Sequence, residues 1–352
     1  MKRFILILIS IWSISTITSQ PMWITYIPDS IPVSRLSIPG SHDSATGEGI
    51  KGLFKMGITQ NKSISAQWEC GIRAFDLRPA VCDNKLHIYH GPLKTKITFS
   101  AAIDTILSCI DKNPQEFAII IIRQEQGNDN AEERELWSEL VGREINKRGE
   151  RAAIFHPEIT VRELRGKILF LSRNHYEGSH KGALIGHWSH SVQGSENAII
   201  TPYAIHTNNR SATLYVQDFY SLLTKEKQLQ KIESIKRHMD KAAVSSTDTW
   251  CINHLSGYCT TLFGFLNIPS NKGYKQNAQR NNRAIYEYLS RPGCNIKTDT
   301  TIEENKRENN TPTPYGIIMI DYAGCEKVGK YTTYGTSIIQ AIIDKNFATK
   351  PF

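Results

Sequence analysis

Ile38-Pro39-Gly40-Ser41-His42-Asp43-Ser44 is the stretch that sets the expected fold, because it follows a short apolar run, Ser34–Ile38, with the composition of a β-strand. Proline and glycine allow sharp bends in the backbone, so we expect the strand to end in a Pro-Gly turn that presents His42 and Asp43. In α/β barrels the chemistry lies at the carboxyl ends of the strands. The stretch therefore predicts a catalytic loop whose partners must come from the rest of the chain.

Seven further short runs resemble this first strand, and most are separated by helix-like or long polar segments. The eight runs are Ser34–Ile38, Ala74–Arg78, Leu86–His90, Phe117–Arg123, Lys167–Arg173, Leu214–Asp218, Trp250–Ser256 and Gly316–Asp321. The amphipathic segments between them are Ser63–Cys70, Ser100–Asp111, Ala131–Lys147, Leu222–Lys241, Asn277–Leu289 and Gly335–Asp344. Alternating strands and helices predict a parallel sheet, and eight strands predict a (β/α)₈ TIM-type barrel. The gap between the second and third runs has room for a turn but no helix, so one crossover is irregular.

Length and composition agree with one large domain. The chain has 352 residues, of which 40% are hydrophobic and 22% charged, which is enough apolar material for a single core. Two domains would also fit this length, but an α/β barrel of this size is routinely one. We expect a single catalytic barrel over residues 20–352.

The N-terminal segment predicts a signal peptide over residues 1–19. Lys2 and Arg3 precede a mostly apolar run, Phe4–Ile17, that is short for a membrane span and has no charged residue as a stop on its far side. A retained anchor is the alternative. Secretion would permit disulfides among the seven cysteines, whose spacing fits no zinc site and whose pairing the sequence leaves open.

A formal charge of +8 favours an anionic partner, either a membrane or a nucleic acid. The basic residues are scattered and no nucleic-acid-binding motif is present, so we expect no nucleic-acid partner. The expected protein is a secreted monomer, peripheral on a membrane surface.

Polar residues recur at the carboxyl tips of the predicted strands. Side chains alternate between the two faces of a strand, so five of the runs have an apolar inner face that ends in one ionisable residue, and Asp76 interrupts that face in the second run. A single charged tip is most often a solvated loop boundary. Together with His42 and Asp43, however, six tips on one rim predict a site: Arg78, His90, Arg123, Arg173, Asp218 and Asp321.

This set of residues suits cleavage of a phosphodiester. One imidazole can accept a proton from the attacking oxygen and the other can deliver one to the leaving oxygen. A guanidinium offers paired donors to the phosphoryl oxygens, and a carboxylate behind an imidazole fixes its tautomer. If the nucleophile is a hydroxyl of the substrate itself, proximity replaces a metal-activated water.

Three segments are similar to successive motifs of the phosphatidylinositol-specific phospholipase C X-domain family, in its secreted, single-domain bacterial type. They are Ile38–Ser44, Gly71-Ile72-Arg73-Ala74-Phe75-Asp76-Leu77-Arg78 and His87-Ile88-Tyr89-His90-Gly91-Pro92-Leu93. The resemblance continues over nearly all of the chain after the signal peptide, through Ile119–Glu125, Lys167–Arg173, Val216–Tyr220 and Ile320–Tyr322.

The resemblance implies a role for each catalytic residue. His42 would be the general base that deprotonates the inositol 2-hydroxyl, oriented by Asp321. His90 would be the general acid that protonates the diacylglycerol oxygen, supported by Asp43. Arg78 would bind the phosphate and stabilise the transition state.

It also implies how the headgroup is bound. Arg123, Arg173 and Asp218 would hydrogen-bond inositol hydroxyls, and Tyr220 would lie against the ring face. Arg123 stands where the bacterial type has lysine, so its charge is kept but its geometry differs. Asp76 would support Arg78 and not touch the substrate.

The same resemblance bears on metals. The multidomain relatives hold calcium near the phosphate with acidic residues, whereas here the Arg78 cation competes for that space, and no EF-hand loop is present. We expect a metal-independent enzyme without a cofactor. Its product would be inositol 1,2-cyclic phosphate, followed by slow hydrolysis.

Two apolar loop segments are candidates for membrane docking. Leu53 and Phe54 follow the first catalytic loop, and Phe263 and Phe265 follow the seventh strand. Large apolar side chains in loops are typical of interfacial segments. Packing of these residues against the body of the domain is the alternative.

Two other functions stay open. A metal-dependent glycerophosphodiester phosphodiesterase or sphingomyelinase D would need a carboxylate cluster near the first two strands, which Arg78 and an isolated Asp76 fit poorly. A non-catalytic module that binds inositol lipid or glycan is disfavoured, because both histidines, Arg78 and Asp321 are all present. Plain phosphatidylinositol and glycosylated anchors are equally compatible as substrates.

Overall fold

The structure, a computed structural model, describes residues 22–51, 57–125, 130–204, 210–261, 269–291 and 312–347. The expected signal peptide and the four expected docking residues, Leu53, Phe54, Phe263 and Phe265, lie outside the described residues. None of the helices in the described ranges is both long enough and apolar enough to cross a bilayer. The six cysteines in these ranges are all free.

Strands and helices alternate along most of the chain. The strands are β1 (Ser37–Ser41), β2 (Ala74–Leu77), β3 (Pro79–Cys82), β4 (Lys85–His90), β5 (Leu93–Thr98), β6 (Ala118–Ile122), β7 (Ile168–Ser172), β8 (Ala183–Gly186), β9 (Ser195–Pro202), β10 (Ala212–Gln217), β11 (Thr249–His254), β12 (Gly316–Ile320), β13 (Lys327–Val328) and β14 (Tyr331–Thr332). The α-helices are α1 (Ile64–Glu69), α2 (Phe99–Lys112), α3 (Ala131–Asn146), α4 (Val161–Leu164), α5 (Lys225–Ala243), α6 (Asn271–Leu289) and α7 (Gly335–Ile343).

A closed barrel forms the centre of the molecule, in the strand order β1-β12-β11-β10-β9-β8-β7-β6-β2. Neighbouring strands are parallel except on the two sides of β9, which pairs antiparallel with β8 and β10. The α/β barrel predicted from the sequence is thereby confirmed. Its strands are strongly apolar because helices cover their outer faces; β6, for example, reads Ala-Ile-Ile-Ile-Ile and is buried throughout.

One of the eight predicted barrel strands was wrong. Leu86–His90 is β4 of a separate three-stranded antiparallel sheet, β3-β4-β5, beside the barrel. A parallel neighbour of β2 would need a crossover of a dozen or more residues, and the short gap allows just a hairpin. The eighth parallel strand is instead β8, which the sequence pattern did not reveal because it is short and half-buried and leads into the antiparallel β9.

The turn expected at Pro39-Gly40 was also wrong, because β1 continues through both residues to Ser41. Pro39 pairs with Ile318 and Gly40 with Met319 of β12. A Cβ at position 40 would lie 2.5 Å from the Met319 sulfur, so a larger residue there would force the Met319 side chain to move. The bend comes after the strand, at Asp43, whose φ of 46° is left-handed.

A buried ion pair closes the other end of the barrel below β2. Arg73 Nε lies 2.7 Å from Glu116 Oε2, and both side chains are fully buried. The second oxygen of Glu116 accepts hydrogen bonds from the backbone and the hydroxyl of Thr25, at 2.8 and 2.9 Å. The Arg73 guanidinium lies 3.7 Å from the centre of the Trp68 ring. The pair therefore joins the N-terminal segment to the base of the barrel.

Removing one partner of this pair should destabilise the fold strongly, because the other charge stays buried. We expect Glu116→Ala to lower the free energy of unfolding by about 3–5 kcal/mol, measured by urea denaturation. The control is Glu233→Ala, which removes an exposed carboxylate 2.9 Å from Lys236 and should cost less than about 1 kcal/mol. Equal losses in the two variants would contradict a structural role for the Arg73–Glu116 pair.

Candidate active site

The polar tips predicted from the sequence lie together at the carboxyl end of the barrel, where parallel strands bring successive loops to one rim. Each of six residues directly follows the last residue of its strand: His42 after β1, Arg78 after β2, Arg123 after β6, Arg173 after β7, Asp218 after β10 and Asp321 after β12. His90 reaches the same place differently, as the last residue of β4 in the side sheet.

His42 is held between an acid and a cation. Its Nδ1 lies 2.8 Å from Asp321 Oδ1, and its Nε2 lies 2.8 Å from an Arg78 nitrogen. A guanidinium can only donate, so Nε2 accepts and the hydrogen of the ring is on Nδ1, where it is donated to Asp321. Burial and the Arg78 charge lower the pKa of His42 well below its usual value. His42 is therefore a neutral base with its acceptor nitrogen facing the pocket.

Arg78 is almost completely buried among carboxylates. Its Nε lies 2.9 Å from Asp43 Oδ1, one terminal nitrogen lies 2.9 Å from Asp76 Oδ2, and the other is 3.8 Å from Glu125 Oε2. Burial lowers the pKa of Arg78, but the adjacent carboxylates outweigh it and raise the pKa well above the usual value. Burial raises the pKa of Asp76, but the charge and hydrogen bonds of Arg78, together with the nearby histidines, outweigh burial and lower the pKa. Arg78 is a permanent cation with a fixed orientation.

His90 and Asp43 form a second acid–base pair. The His90 Nδ1 donates to the Gly57 carbonyl at 2.6 Å, and its Nε2 lies 3.3 Å from Asp43 Oδ2. Burial lowers the pKa of His90 to about 4 and raises that of Asp43 to about 7. The raised pKa lets Asp43 itself carry a proton near neutral pH, within contact distance of the His90 ring.

Asp43 also contacts the other histidine. Its Oδ2 lies 3.3 Å from the Nε2 atoms of both His42 and His90. We expected Asp43 to assist His90 and not its own neighbour, whereas the structure places it between the two rings. The left-handed backbone at Asp43, whose N–H donates to Asp76 at 3.1 Å, turns the carboxylate into this position.

A second group of side chains lines the pocket beside this cluster. The Arg173 guanidinium lies 4.0 Å from the centre of the Trp188 ring and donates to His190 Nε2 at 3.2 Å. Asp218 Oδ2 accepts from Trp188 Nε1 and faces His190 Nδ1, both at 2.9 Å. Burial lowers the pKa of Arg173 to about 10. This part of the site combines a carboxylate, a guanidinium and an aromatic wall.

Tyr220 and Arg123 connect the two groups. The Tyr220 ring centre is 5.6 Å from that of His42, and its hydroxyl donates to the Tyr274 hydroxyl at 3.5 Å. Tyr274 in turn lies 5.8 Å from the His90 ring. Arg123 is close enough for its charge to lower the pKa of Asp43, against the larger effect of burial.

A buried amide fixes the distance between the loops of His42 and Asp321. Gln60 Nε2 donates to the carbonyls of His42 and Ile320 at 2.8 and 2.7 Å, and its oxygen accepts from the Ala323 N–H at 2.8 Å. Gln60 is fully buried. Gln60 was not predicted as a site residue, because an isolated glutamine has no signal in a strand or helix pattern.

Other site residues were missed as well. His254 is the last residue of β11, within a run that the sequence analysis predicted, and its ring centre lies 5.7 Å from that of His42. The rule of polar strand tips could have found it. Trp188 and His190 lie between β8 and β9, two strands that were not predicted, so no sequence signal was available.

One cluster has the geometry of a metal site but also contains a cation. His42, Asp43 and Asp76 each offer a ligand atom, and these atoms lie within 4.8 Å of one another. Arg78 nitrogens lie 2.8 Å from His42, 2.9 Å from Asp43 and 2.9 Å from Asp76. A metal ion between these ligands would face a guanidinium at contact distance, so the cluster fits a metal poorly.

Comparison with known proteins gives relatives over most of the chain. Residues 31–174 match the family model of the phosphatidylinositol-specific phospholipase C X domain. A 1-phosphatidylinositol phosphodiesterase of Listeria monocytogenes is 32% identical over 157 residues, which are 44% of this chain and 49% of that protein. One of Staphylococcus aureus is 25% identical over 338 residues, 93% of this chain and 95% of the relative.

Solved structures resemble the fold at lower identity. A phosphatidylinositol-specific phospholipase C structure from Staphylococcus aureus superposes with a TM-score of 0.68 at 21% identity, covering 94% of this chain and 98% of the other. The Listeria monocytogenes enzyme superposes with a TM-score of 0.62 at 22% identity, over 93% and 98% of the two chains. These structures share the barrel.

The tautomer and charge of His42 can be tested by nitrogen-15 NMR of labelled imidazoles. We expect His42 to stay neutral, with hydrogen on Nδ1, at pH 5.5, because burial and Arg78 lower its pKa. In the urea-unfolded chain the imidazoles should titrate near their unperturbed pKa of about 6.5. Arg78→Met should raise the pKa of His42, because the nearest cation is lost. A cationic His42 at pH 5.5 in the folded wild type would contradict the assignment.

Proposed function

Because the chain belongs to the phosphatidylinositol-specific phospholipase C X-domain family, we propose that it cleaves phosphatidylinositol into diacylglycerol and inositol 1,2-cyclic phosphate. It is an enzyme of the phosphatidylinositol phosphodiesterase class, and its substrate is a membrane lipid. The observation that carries the proposed mechanism is the Asp321–His42–Arg78 arrangement, with 2.8 Å on each side of the ring.

In the proposed first step, His42 removes a proton from the inositol 2-hydroxyl and the oxygen attacks the phosphorus. The His42 Nε2 would be freed when the substrate phosphate takes over the hydrogen bond from Arg78. Asp321 would accept the hydrogen bond from Nδ1 and so stabilise the imidazolium that forms. Arg78 would then donate to the phosphoryl oxygens, where negative charge grows in the transition state.

The leaving oxygen of diacylglycerol needs a proton, and the pair of His90 and Asp43 would supply it. The raised pKa of Asp43 would let it hold this proton, and Asp43 Oδ2 lies 3.3 Å from His90 Nε2. Once the proton has left, the Asp43 charge is balanced by Arg78 at 2.9 Å. Protonation of the leaving oxygen therefore does not require His90 alone to be cationic near neutral pH.

The second group of side chains would bind the headgroup. Asp218 can accept from an inositol hydroxyl, and Arg173 and Arg123 can donate to hydroxyls. Tyr220 would lie against the ring, since it stands beside His42. Each of these roles rests on the family resemblance and on the position of the side chain at the mouth of the barrel.

We propose that the reaction needs neither a metal nor another cofactor. Arg78 supplies, at the position between His42, Asp43 and Asp76, the positive charge that a metal would provide. The alternative of a metal-dependent phosphodiesterase would require the guanidinium to leave this cluster and expose three buried acceptors.

We also propose a single secreted barrel over residues 20–352, released from a signal peptide at residues 1–19 and working as a monomer without nucleic acid. The apolar run after Lys2 and Arg3 supports the signal peptide. One closed barrel from β1 to β12 supports a single domain.

Docking on the membrane would use the rim around the pocket. Leu223 and Leu229, 46% and 66% exposed, lie where α5 begins, a few residues after Asp218. The exposed Lys225 and Lys227 between them suit an anionic lipid surface. Beyond the described residues, the proposed docking set also includes Leu53, Phe54, Phe263 and Phe265.

Backbone hydrogen bonds connect this leucine surface to the loop that follows β11. Leu222 N–H donates to the Tyr258 carbonyl at 2.9 Å, and Tyr258 N–H donates to the Tyr220 carbonyl at 3.1 Å. The chain then runs from Tyr258 toward residues 262–268, which include Phe263 and Phe265. These hydrogen bonds hold the segment before α5 against the loop that follows β11.

The activity can be tested with purified protein on phosphatidylinositol vesicles, with the products followed by phosphorus NMR. We expect inositol 1,2-cyclic phosphate, at the same rate in excess chelator. His42→Ala and His90→Ala should each lower the rate by roughly 10²–10⁴-fold, because each removes one proton transfer. His156→Ala, a partly exposed histidine paired with Glu163 away from the site, is the control.

Each component of the proposal has its own contrary result. Loss of activity in chelator would favour the metal-dependent phosphodiesterase. Binding to the vesicles without turnover would favour a non-catalytic inositol-lipid module. Full activity in both histidine variants would disprove the acid–base assignment.

The docking surface can be tested by comparing a vesicle substrate with a water-soluble inositol phosphodiester. We expect Leu223→Ser with Leu229→Ser to lower the rate on vesicles at least 10-fold, because burial of a leucine contributes about 1.5–3 kcal/mol. The rate on the soluble substrate should not change. The double variant Phe263→Ser with Phe265→Ser should show the same loss on vesicles and the same unchanged rate on the soluble substrate. The control is Val244→Ser, because Val244 is 57% exposed and lies at the other end of α5. Equal losses on both substrates would argue against docking.

A further inference from the structure

His190 lies between Asp218 and Arg173, two of the residues proposed to bind the headgroup, and contacts both. Its Nδ1 lies 2.9 Å from Asp218 Oδ2, and its Nε2 accepts from Arg173 at 3.2 Å. The His190 side chain is 49% exposed, whereas that of Asp218 is 5% exposed. An exposed side chain thus makes a bridge between two groups that are set deeper in the protein.

The hydrogen bonds of His190 match those of a sugar-like diol. A guanidinium can only donate and a carboxylate accepts, so the neutral ring donates from Nδ1 to Asp218 and accepts at Nε2 from Arg173. Two adjacent hydroxyls can do the same, one donating to the carboxylate and its neighbour accepting from the guanidinium. The ring nitrogens are separated by one carbon and the diol oxygens by two, so the spans are similar.

We propose that His190 is a placeholder for two adjacent hydroxyls of the inositol ring. In the free enzyme it satisfies Arg173 and Asp218, and it rotates toward solvent when the headgroup takes its place. This inference rests on the proposed function, in which Arg173 and Asp218 bind inositol hydroxyls. The inference adds His190 as a residue that competes with the substrate for Arg173 and Asp218. This competition would set the selectivity of the site among inositol ligands.

The rest of the pocket wall can stay in place when His190 leaves. Trp188 holds both residues independently, by its Nε1 hydrogen bond to Asp218 at 2.9 Å and by its ring, 4.0 Å from the centre of the Arg173 guanidinium. The chain beyond His190 is closed by a turn in which Gly194 N–H donates to the Ser191 carbonyl at 3.1 Å and the Ser191 hydroxyl donates to the Gly194 carbonyl at 3.0 Å. Rotation of one side chain is therefore enough to open the site.

A placeholder has two consequences for binding. The apparent affinity for substrate falls by the fraction of enzyme in which His190 has moved away. A ligand with both hydroxyls replaces both lost hydrogen bonds, whereas a ligand that lacks one leaves one of those two hydrogen bonds unreplaced at a charged group. His190 should therefore weaken the binding of all inositol ligands, and most strongly that of ligands that lack one of the two hydroxyls.

The test is steady-state kinetics on a water-soluble inositol phosphodiester, which avoids the membrane. We expect His190→Ala to lower KM by about 3- to 10-fold with kcat unchanged, since two exposed hydrogen bonds no longer have to be exchanged. The control is His187→Asn, an exposed position in the same segment where φ is 58° and asparagine is tolerated. It should leave KM unchanged.

Inhibition by free inositols gives the second readout. The inhibition constant of myo-inositol should fall in His190→Ala by the same factor as KM. For deoxy-inositols that lack one hydroxyl of an adjacent pair, the inhibition constant should fall by a larger factor. The variant should therefore discriminate less between these compounds and myo-inositol. A higher KM in His190→Ala, or one within 2-fold of the wild type, would overturn the proposal.

Two further variants separate failure of this inference from failure of the proposed function. If Asp218→Asn and Arg173→Gln both leave KM unchanged, the headgroup assignment itself is wrong, whatever His190 does. If they raise KM while His190→Ala does not lower it, the placeholder alone is wrong. His190→Ser removes the same ring and repeats the test should the alanine variant fold poorly.

Discussion

The burial of Arg78 is the constraint on which the rest of the site depends. A buried guanidinium is tolerated when carboxylates surround it, and Asp43 and Asp76 each lie 2.9 Å away. The same guanidinium donates to His42, which fixes the neutral tautomer of that ring, and it fills the space among His42, Asp43 and Asp76 in which a metal would otherwise fit. The position of the Arg78 side chain thus determines three properties of the site: how it can bind phosphate, the protonation state of His42, and the poor fit of the cluster to a metal ion.

The two histidines acquire different characters from different partners. His42 donates from Nδ1 to a carboxylate, so a positive charge on it can be stabilised. His90 donates from Nδ1 to the neutral Gly57 carbonyl and faces Asp43 on the other side, a carboxyl whose pKa burial raises. Chemically identical side chains on one rim are therefore suited to opposite proton transfers, because they have different partners.

Much of the barrel could be predicted from the sequence, because parallel strands covered on both faces have a continuous apolar pattern, as β6 and β12 show. The prediction was wrong for Leu86–His90, because composition does not show which strands a segment pairs with. This segment has the composition of a barrel strand but pairs in the side sheet. The apolar pattern did not predict β8 and β9, because both strands are half-exposed and they pair antiparallel with each other. Trp188 and His190, which lie between them, were therefore missed.

The sequence by itself determined which residues lie at the strand tips, because alternation and strand length fix where a polar residue leaves the core. It also identified the motifs around His42, Arg78 and His90. The tertiary structure decided what each residue contacts: Asp43 between both rings, Gln60 across two loops and His190 across the headgroup pocket. Most of these contacts join separate loops, such as those of Gln60 and Ile320, 260 positions apart, and a local pattern carries no information on distances between separate strands.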